Sequence, residues 1–158
     1  MLESDEVRAI CRAAAGAFLG MDVRAIVDTG YLVALLNADD EHHKWAASLL
    51  PRLRGPWLTA EACISESVFL LEQAGRVAAV RLFEWLDKGA LVSEHLLPEE
   101  LEAVRFELFR YRERWVDFAD ACLVHLSDNL PKLPVVTVDA ADFAVYFRHR
   151  RRRRVLVP

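Results

Sequence analysis

Three apolar residues, Ala25-Ile26-Val27, run directly into Asp28, Thr29 and Gly30. A short unbroken apolar run fits a strand buried on both faces, as in a parallel sheet. Open α/β sheets bind ligands outside the carboxyl ends of such strands. Far downstream the pattern returns as Val135-Val136-Thr137-Val138-Asp139. Two buried strands would thus each deliver a carboxylate to the same edge. Taken singly, either aspartate is explained by capping the turn that follows it. Side by side, the two charges repel, and a divalent cation is the usual compensation.

The 158 residues suffice for one domain with a real core. A hydrophobic fraction of 54% with 28% charged residues fits a globular chain and excludes a disordered one. The net charge of -4 is unevenly spread. Arg148, Arg150, Arg151, Arg152, Arg153 and Arg154 hold six of the 20 basic residues, so removing them leaves the remainder at about -10. Cys11, Cys63 and Cys122 are scattered, with no C-x-x-C pair, which argues for buried thiols in a reducing compartment and against a disulfide framework or zinc knuckle. No apolar run approaches the ~18 residues of a membrane span. The acidic start Glu3-Ser4-Asp5-Glu6 lacks the basic charge of a secretion signal. The expected location is therefore cytoplasmic.

Residues 1–21 read either as a short helix capped by Ser4 or Asp5, or as an extension upstream of a start at Met21. Five strand candidates follow: Arg24 to Asp28, Trp57 to Thr59, Ala90 to Ser93, Val135 to Val138, and Val155 to Val157. Helical signals separate them. Tyr31, Leu32, Leu35 and Leu36 mark the first. Asp39 or Asp40 would cap a second, carrying Trp45, Leu49 and Leu50. Thr59 would cap a third, Ala60 to Gln73, ended by Gly75. The fourth, Arg76 to Asp87, carries Val77, Val80, Leu82, Phe83 and Leu86. Pro98 would start a fifth, with Leu101, Val104, Leu108 and Phe109 on one face. Asp117 caps a sixth, Phe118 to Ser127, and a last helical turn carries Phe143 and Tyr146. Alternating short strands and helices predict an α/β fold around a parallel sheet. Trp45, Trp57, Trp85 and Trp115 are expected in the core or at an interface.

Two more acidic segments stand out. In Asp117-Phe118-Ala119-Asp120-Ala121 the two aspartates are three apart, on one face at a helix start. The dipole and cap account for Asp117, but Asp120 leads straight into Ala121, Cys122, Leu123 and Val124. In Thr59-Ala60-Glu61-Ala62-Cys63-Ile64-Ser65-Glu66, Glu61 is a first-turn acid. Glu66 lies among Cys63, Ile64, Val68, Phe69 and Leu70, where an acid must be paired, protonated or bound to a metal.

Together these segments resemble the PIN domain (the PilT N-terminal nuclease domain), and within it the VapC-type toxin ribonucleases. The resemblance runs from about Ala25 to Pro158 and includes Asp40-Glu41-His42-His43-Lys44-Trp45-Ala46 and Asp142-Phe143. It implies a three-layer α/β/α domain over 22–158 with a central parallel sheet ordered 3-2-1-4-5. Strands one and four thereby become neighbours, an adjacency the sequence pattern alone does not supply. The resemblance places a catalytic, metal-binding quartet on Asp28, Glu66, Asp120 and Asp139, with Asp117 as an accessory metal ligand. Thr29, Thr137 and Asp142 would support it, and His43 would be structural. It further implies Mg2+ (or Mn2+) as cofactor, since hard divalent cations prefer oxygen ligands. The implied reaction is endoribonuclease cleavage leaving a 5′-phosphate and a 3′-hydroxyl. An antitoxin would cover the acidic pocket, and a homodimer would form through the early helices.

Arg150, Arg151, Arg152, Arg153 and Arg154 have two readings. They clamp RNA or a partner through phosphate contacts, or they form a solvated loop. The first is favoured because the rest of the chain is acidic and would repel RNA. The competing function is a PIN-fold RNA-processing or RNA-binding module without toxin activity, and the four intact carboxylates weigh against a non-catalytic one. A phosphatase-like or sugar-phosphate enzyme lacks any glycine-rich phosphate loop or nucleophile motif.

Overall fold

The computed structural model describes residues 22–111, 115–148, 150 and 154–158. Residues 1–21 and Arg151, Arg152 and Arg153 lie outside them, so the expectations for the N-terminal segment and for those arginines are not addressed by the fold.

Five parallel strands form one sheet in the order β3-β2-β1-β4-β5. They are β1 Ala25–Val27, β2 Trp57–Ala60, β3 Leu91–Glu94, β4 Val135–Val136 and β5 Val155–Leu156. Every strand expected from sequence is present. Strand β1 is central: Ile26 pairs with Leu58 of β2 on one side and with Val135 of β4 on the other. That register brings Asp28 and the segment after β4 to one edge.

Alternation along the strands divides the core. Ala25, Val27 and Val136 face one cluster of buried side chains, while Ile26, Leu58 and Val135 face a second. The first layer holds helices α1 (Thr29–Leu36), α2 (His43–Leu49), α3 (Glu61–Ala74) and α4 (Arg76–Asp87). The second holds α5 (Leu101–Arg110), α6 (Phe118–Asn129) and α7 (Ala140–Tyr146). The result is the three-layer arrangement expected. An edge-on series of rings, Trp45–Tyr31–Trp57–Trp85, fills the first layer with centroids 5.9, 5.9 and 5.7 Å apart. Such T-shaped contacts match positive ring edges to negative faces. Trp115 departs from a core role, being 92% exposed.

Several local expectations are corrected. Helix α2 begins at His43 without a side-chain cap, because Asp40 instead closes a turn by accepting from His42 N at 2.8 Å. Thr59 does not cap α3. It lies within β2 and donates its hydroxyl to Val27 O at 2.7 Å, tying β2 to β1. Pro98 precedes α5 by a turn, its carbonyl accepting from Leu101 N. The face expected for α5 is buried only in part: Val104 is buried and Leu108 packs against the core, but Leu101 and Phe109 are exposed and the charged Glu107 takes the other buried position. On α4 the buried residues are Ala79 and Leu82, while Val77, Val80 and Phe83 form an open stripe. Gly75, at φ 131, joins α3 to α4 in a conformation that a side chain would strain.

Candidate active site

The four aspartates gather at the carboxyl edge of the sheet because each sits at or near the point where a strand or loop turns into a helix. Asp28 ends β1 and caps α1, its Oδ1 accepting from Tyr31 N at 2.6 Å. Asp139 follows β4 and caps α7, accepting from Asp142 N at 2.8 Å. Asp117 caps α6, accepting from Ala119 N at 2.7 Å, and Asp120 lies in the first turn of that helix. Glu66 reaches in from α3. The caps explain why the sequence folds this way locally, since each carboxylate satisfies a free helical N–H. Gly30 allows the close approach of α1 to the β4 end, because a Cβ there would collide with Val138.

Neutral hydroxyls fix the remaining oxygens. Thr137 donates to Asp28 Oδ2 at 2.5 Å and accepts from Asp139 N at 2.9 Å, so one side chain holds both strand-end aspartates. Thr29 donates to Glu66 Oε2 at 2.6 Å. Tyr146, buried on α7, donates to Asp120 Oδ2 at 3.1 Å. Thr29 and Thr137, expected as supporting residues, are hydrogen-bonded to Glu66, Asp28 and Asp139. Asp142 contributes its backbone N–H to the site. His43 donates Nδ1–H to Ala34 O at 2.8 Å and braces α2 on α1.

The electrostatics follow from this crowding. Burial drives the Asp28 carboxyl up to about 7. The Thr137 and Tyr31 hydrogen bonds oppose that rise, and the charges of Asp120 and Asp139 add to it. Asp120 is pushed up to about 6, first by burial; the Tyr146 hydroxyl lowers it, and Asp117, Glu66 and Asp139 raise it. The five acids therefore share one field. Among the described residues no three His, Cys, Asp or Glu side chains already converge as ligands of a single ion. The donor set nevertheless fits a hard divalent cation: it is all oxygen, it is mutually repulsive, and Mg2+ keeps most of its waters while taking one or two carboxylates.

The sequence reading missed what stands behind the acids. The Arg150 side chain turns away from solvent and is 7% exposed. Its guanidinium reaches Glu107 of α5 at 2.6 Å, Asp128 of α6 at 2.9 Å, the Tyr111 hydroxyl at 2.8 Å and the Tyr146 carbonyl at 2.5 Å. This corrects its assignment to an RNA clamp. Arg154 remains exposed. The one sequence-level hint was Glu107, an acid on the buried stripe of α5.

The carboxylates lie together at the carboxyl edge of a five-stranded parallel α/β/α domain. A family model described as PIN domain matches residues 25–145, and the chain belongs to that family. Among solved structures it is similar to the crystal structure of Mycobacterium tuberculosis VapC20, described as a Sarcin-Ricin loop cleaving toxin. The identity is 25% and the TM-score 0.69, over 77% of this chain and 94% of that one. No curated protein matches the chain.

Proposed function

We propose that this chain is a divalent-metal-dependent endoribonuclease acting as the toxin of a type II toxin-antitoxin pair. The observation that carries the reading is the gathering of Asp28, Glu66, Asp117, Asp120 and Asp139 at one edge, where burial first and neighbouring charges second raise Asp28 and Asp120, a setting that suits a cation. Family membership and the likeness to an RNA-cleaving toxin support it.

Asp28, Asp120, Asp139 and Glu66 would hold Mg2+ or Mn2+, with Asp117 at the margin. When bound, the metal would supply an activated water and charge stabilisation at the phosphodiester. The chain's own residues do the positioning. Thr137 holds Asp28 and Asp139 in register, Thr29 orients Glu66, and Tyr146 fixes Asp120. Arg154, and Arg151, Arg152 and Arg153 beside it, would meet RNA phosphates and offset the acidic remainder. The domain proper would span 22–158, with an antitoxin over the acidic edge, and would act in the cytoplasm as a homodimer.

Asp28→Asn tests the assignment. It removes one anionic ligand and keeps the cap geometry. Cleavage of a labelled RNA in Mg2+ or Mn2+ is expected to fall at least about a hundredfold, the scale seen when a group that positions reacting atoms is lost. Cleavage at the parent rate would sink the catalytic reading.

A further inference from the structure

Beside the acidic centre lies a hollow of about 300 Å³, at the carboxyl ends of β2 and β3. Ala60, Ala62, Leu96, Leu97 and Cys122 give it an apolar floor. Its rim is polar, with Glu61, Ser65, Glu94 and His95, and Phe118 stands at the edge, 42% exposed. The parallel pairing of Ala60 with Glu94 sets Glu61 next to His95, and those two side chains are ion-paired. Glu94 is the half-buried carboxylate on this rim.

The hollow shares walls with the acids. Ser65 precedes Glu66 on α3, and Phe118 lies between Asp117 and Asp120 on α6. The thiol of Cys122 on its floor is raised by burial and then by the charge of Asp117.

We propose that this hollow is a nucleobase subsite that takes a guanine next to the scissile phosphodiester; the proposal rests on the ribonuclease reading above. Its size suits one planar ring, at the small end of the ~300–1,000 Å³ of ligand sites. With Glu61 paired to His95, Glu94 leaves the rim net negative and repels phosphate, so a neutral base enters and the backbone stays outside. Guanine presents two adjacent donors, N1–H and N2–H, on one edge, and a carboxylate accepts both. Uracil offers a single donor flanked by carbonyls, which the same carboxylate repels. Phe118 supplies the ring face on which the base stacks.

The test uses the full chain and free nucleosides, watched by NMR chemical shifts. Guanosine is expected to bind at least about tenfold more tightly than uridine, the discrimination of one good bidentate contact. Phe118→Ala should weaken guanosine binding, and Glu94→Gln should erase the preference over uridine. Equal affinity for the two nucleosides overturns the subsite. So does an equal response to free indole, which would mark a cavity for a protein side chain. RNA oligonucleotides with a single guanine moved across the cleavage site separate the two readings. Cleavage indifferent to guanine position overturns the subsite and leaves the nuclease assignment standing. Guanosine selectivity in a chain that cuts no RNA supports the subsite and overturns the nuclease.

Discussion

Asp28 shows how one residue ties stability to chemistry. Its carboxyl stands at about 7 in the folded chain against an ordinary 3.8, so the folded state holds a proton that the unfolded state releases. The stability linked to that proton is complete below 3.8, declines as pH rises, and is gone above about 7. Asp120, raised to about 6, acts in the same direction. Urea unfolding in chelator is therefore expected to give a higher midpoint near pH 5 than near pH 8. Asp28→Asn should narrow that gap and exceed the parent near pH 8 by on the order of 1–3 kcal/mol. Added Mn2+ should restore the parent near pH 8 by binding only the folded state. Tyr146→Phe tests the neighbouring acid. It removes one hydrogen bond to Asp120, worth about 1–2 kcal/mol, and should weaken Mn2+ binding measured by calorimetry about tenfold, with the melting temperature in chelator lowered by a few degrees. Asp28, Asp117 and Asp139 were legible in the sequence because each ends a strand or opens a helix. Glu66 was legible as an acid in an apolar stretch. Tyr146 was not, since its contact with Asp120 spans 26 positions and exists only once α6 and α7 pack.

Among the elements, the second helical layer is held by one cation. Arg150 joins α5, α6 and α7 through Glu107, Asp128 and the Tyr146 carbonyl. In the sequence it is one arginine among six, and its acidic partners lie 43 and 22 positions away, so nothing local distinguishes it. The same blindness misread part of α5, where Leu101 and Phe109 are exposed while the charged Glu107 shares the buried face with Val104. Strands were read well for the opposite reason: a buried parallel strand shows itself in four or five consecutive residues, whatever its neighbours. Arg150→Met leaves the buried Glu107 with the longer ion pair to Arg110 of its own helix, at 3.6 Å. The expected loss is about 3–5 kcal/mol in urea unfolding. Adding Glu107→Gln should recover part of that loss, and the cycle of the two changes should show coupling above about 0.5 kcal/mol.

At the scale of the whole molecule, the order of strands came from resemblance, while their existence came from pattern. The surface adds a feature that neither supplied. Phe69 on α3 and Val77, Val80 and Phe83 on α4 are all more than half exposed, an apolar face opposite the second helical layer. This is the face on which the proposed homodimer would form. Val80→Glu, a solvent-facing change, should leave the fold intact and shift sedimentation velocity to the monomer. A parent that sediments as a monomer at every concentration would exclude the dimer. The neutral donors of the acidic edge carry a final consequence. Tyr31 N, Thr137, Thr29, Ala119 N, Asp142 N and Tyr146 satisfy the carboxylates in geometry without cancelling their charge. A polyanion arriving at the bare edge meets repulsion, whereas a small cation meets attraction. On the proposed function the encounter would be sequential, the ion first and the RNA strand second, with ionic conditions gating it before any bond is broken.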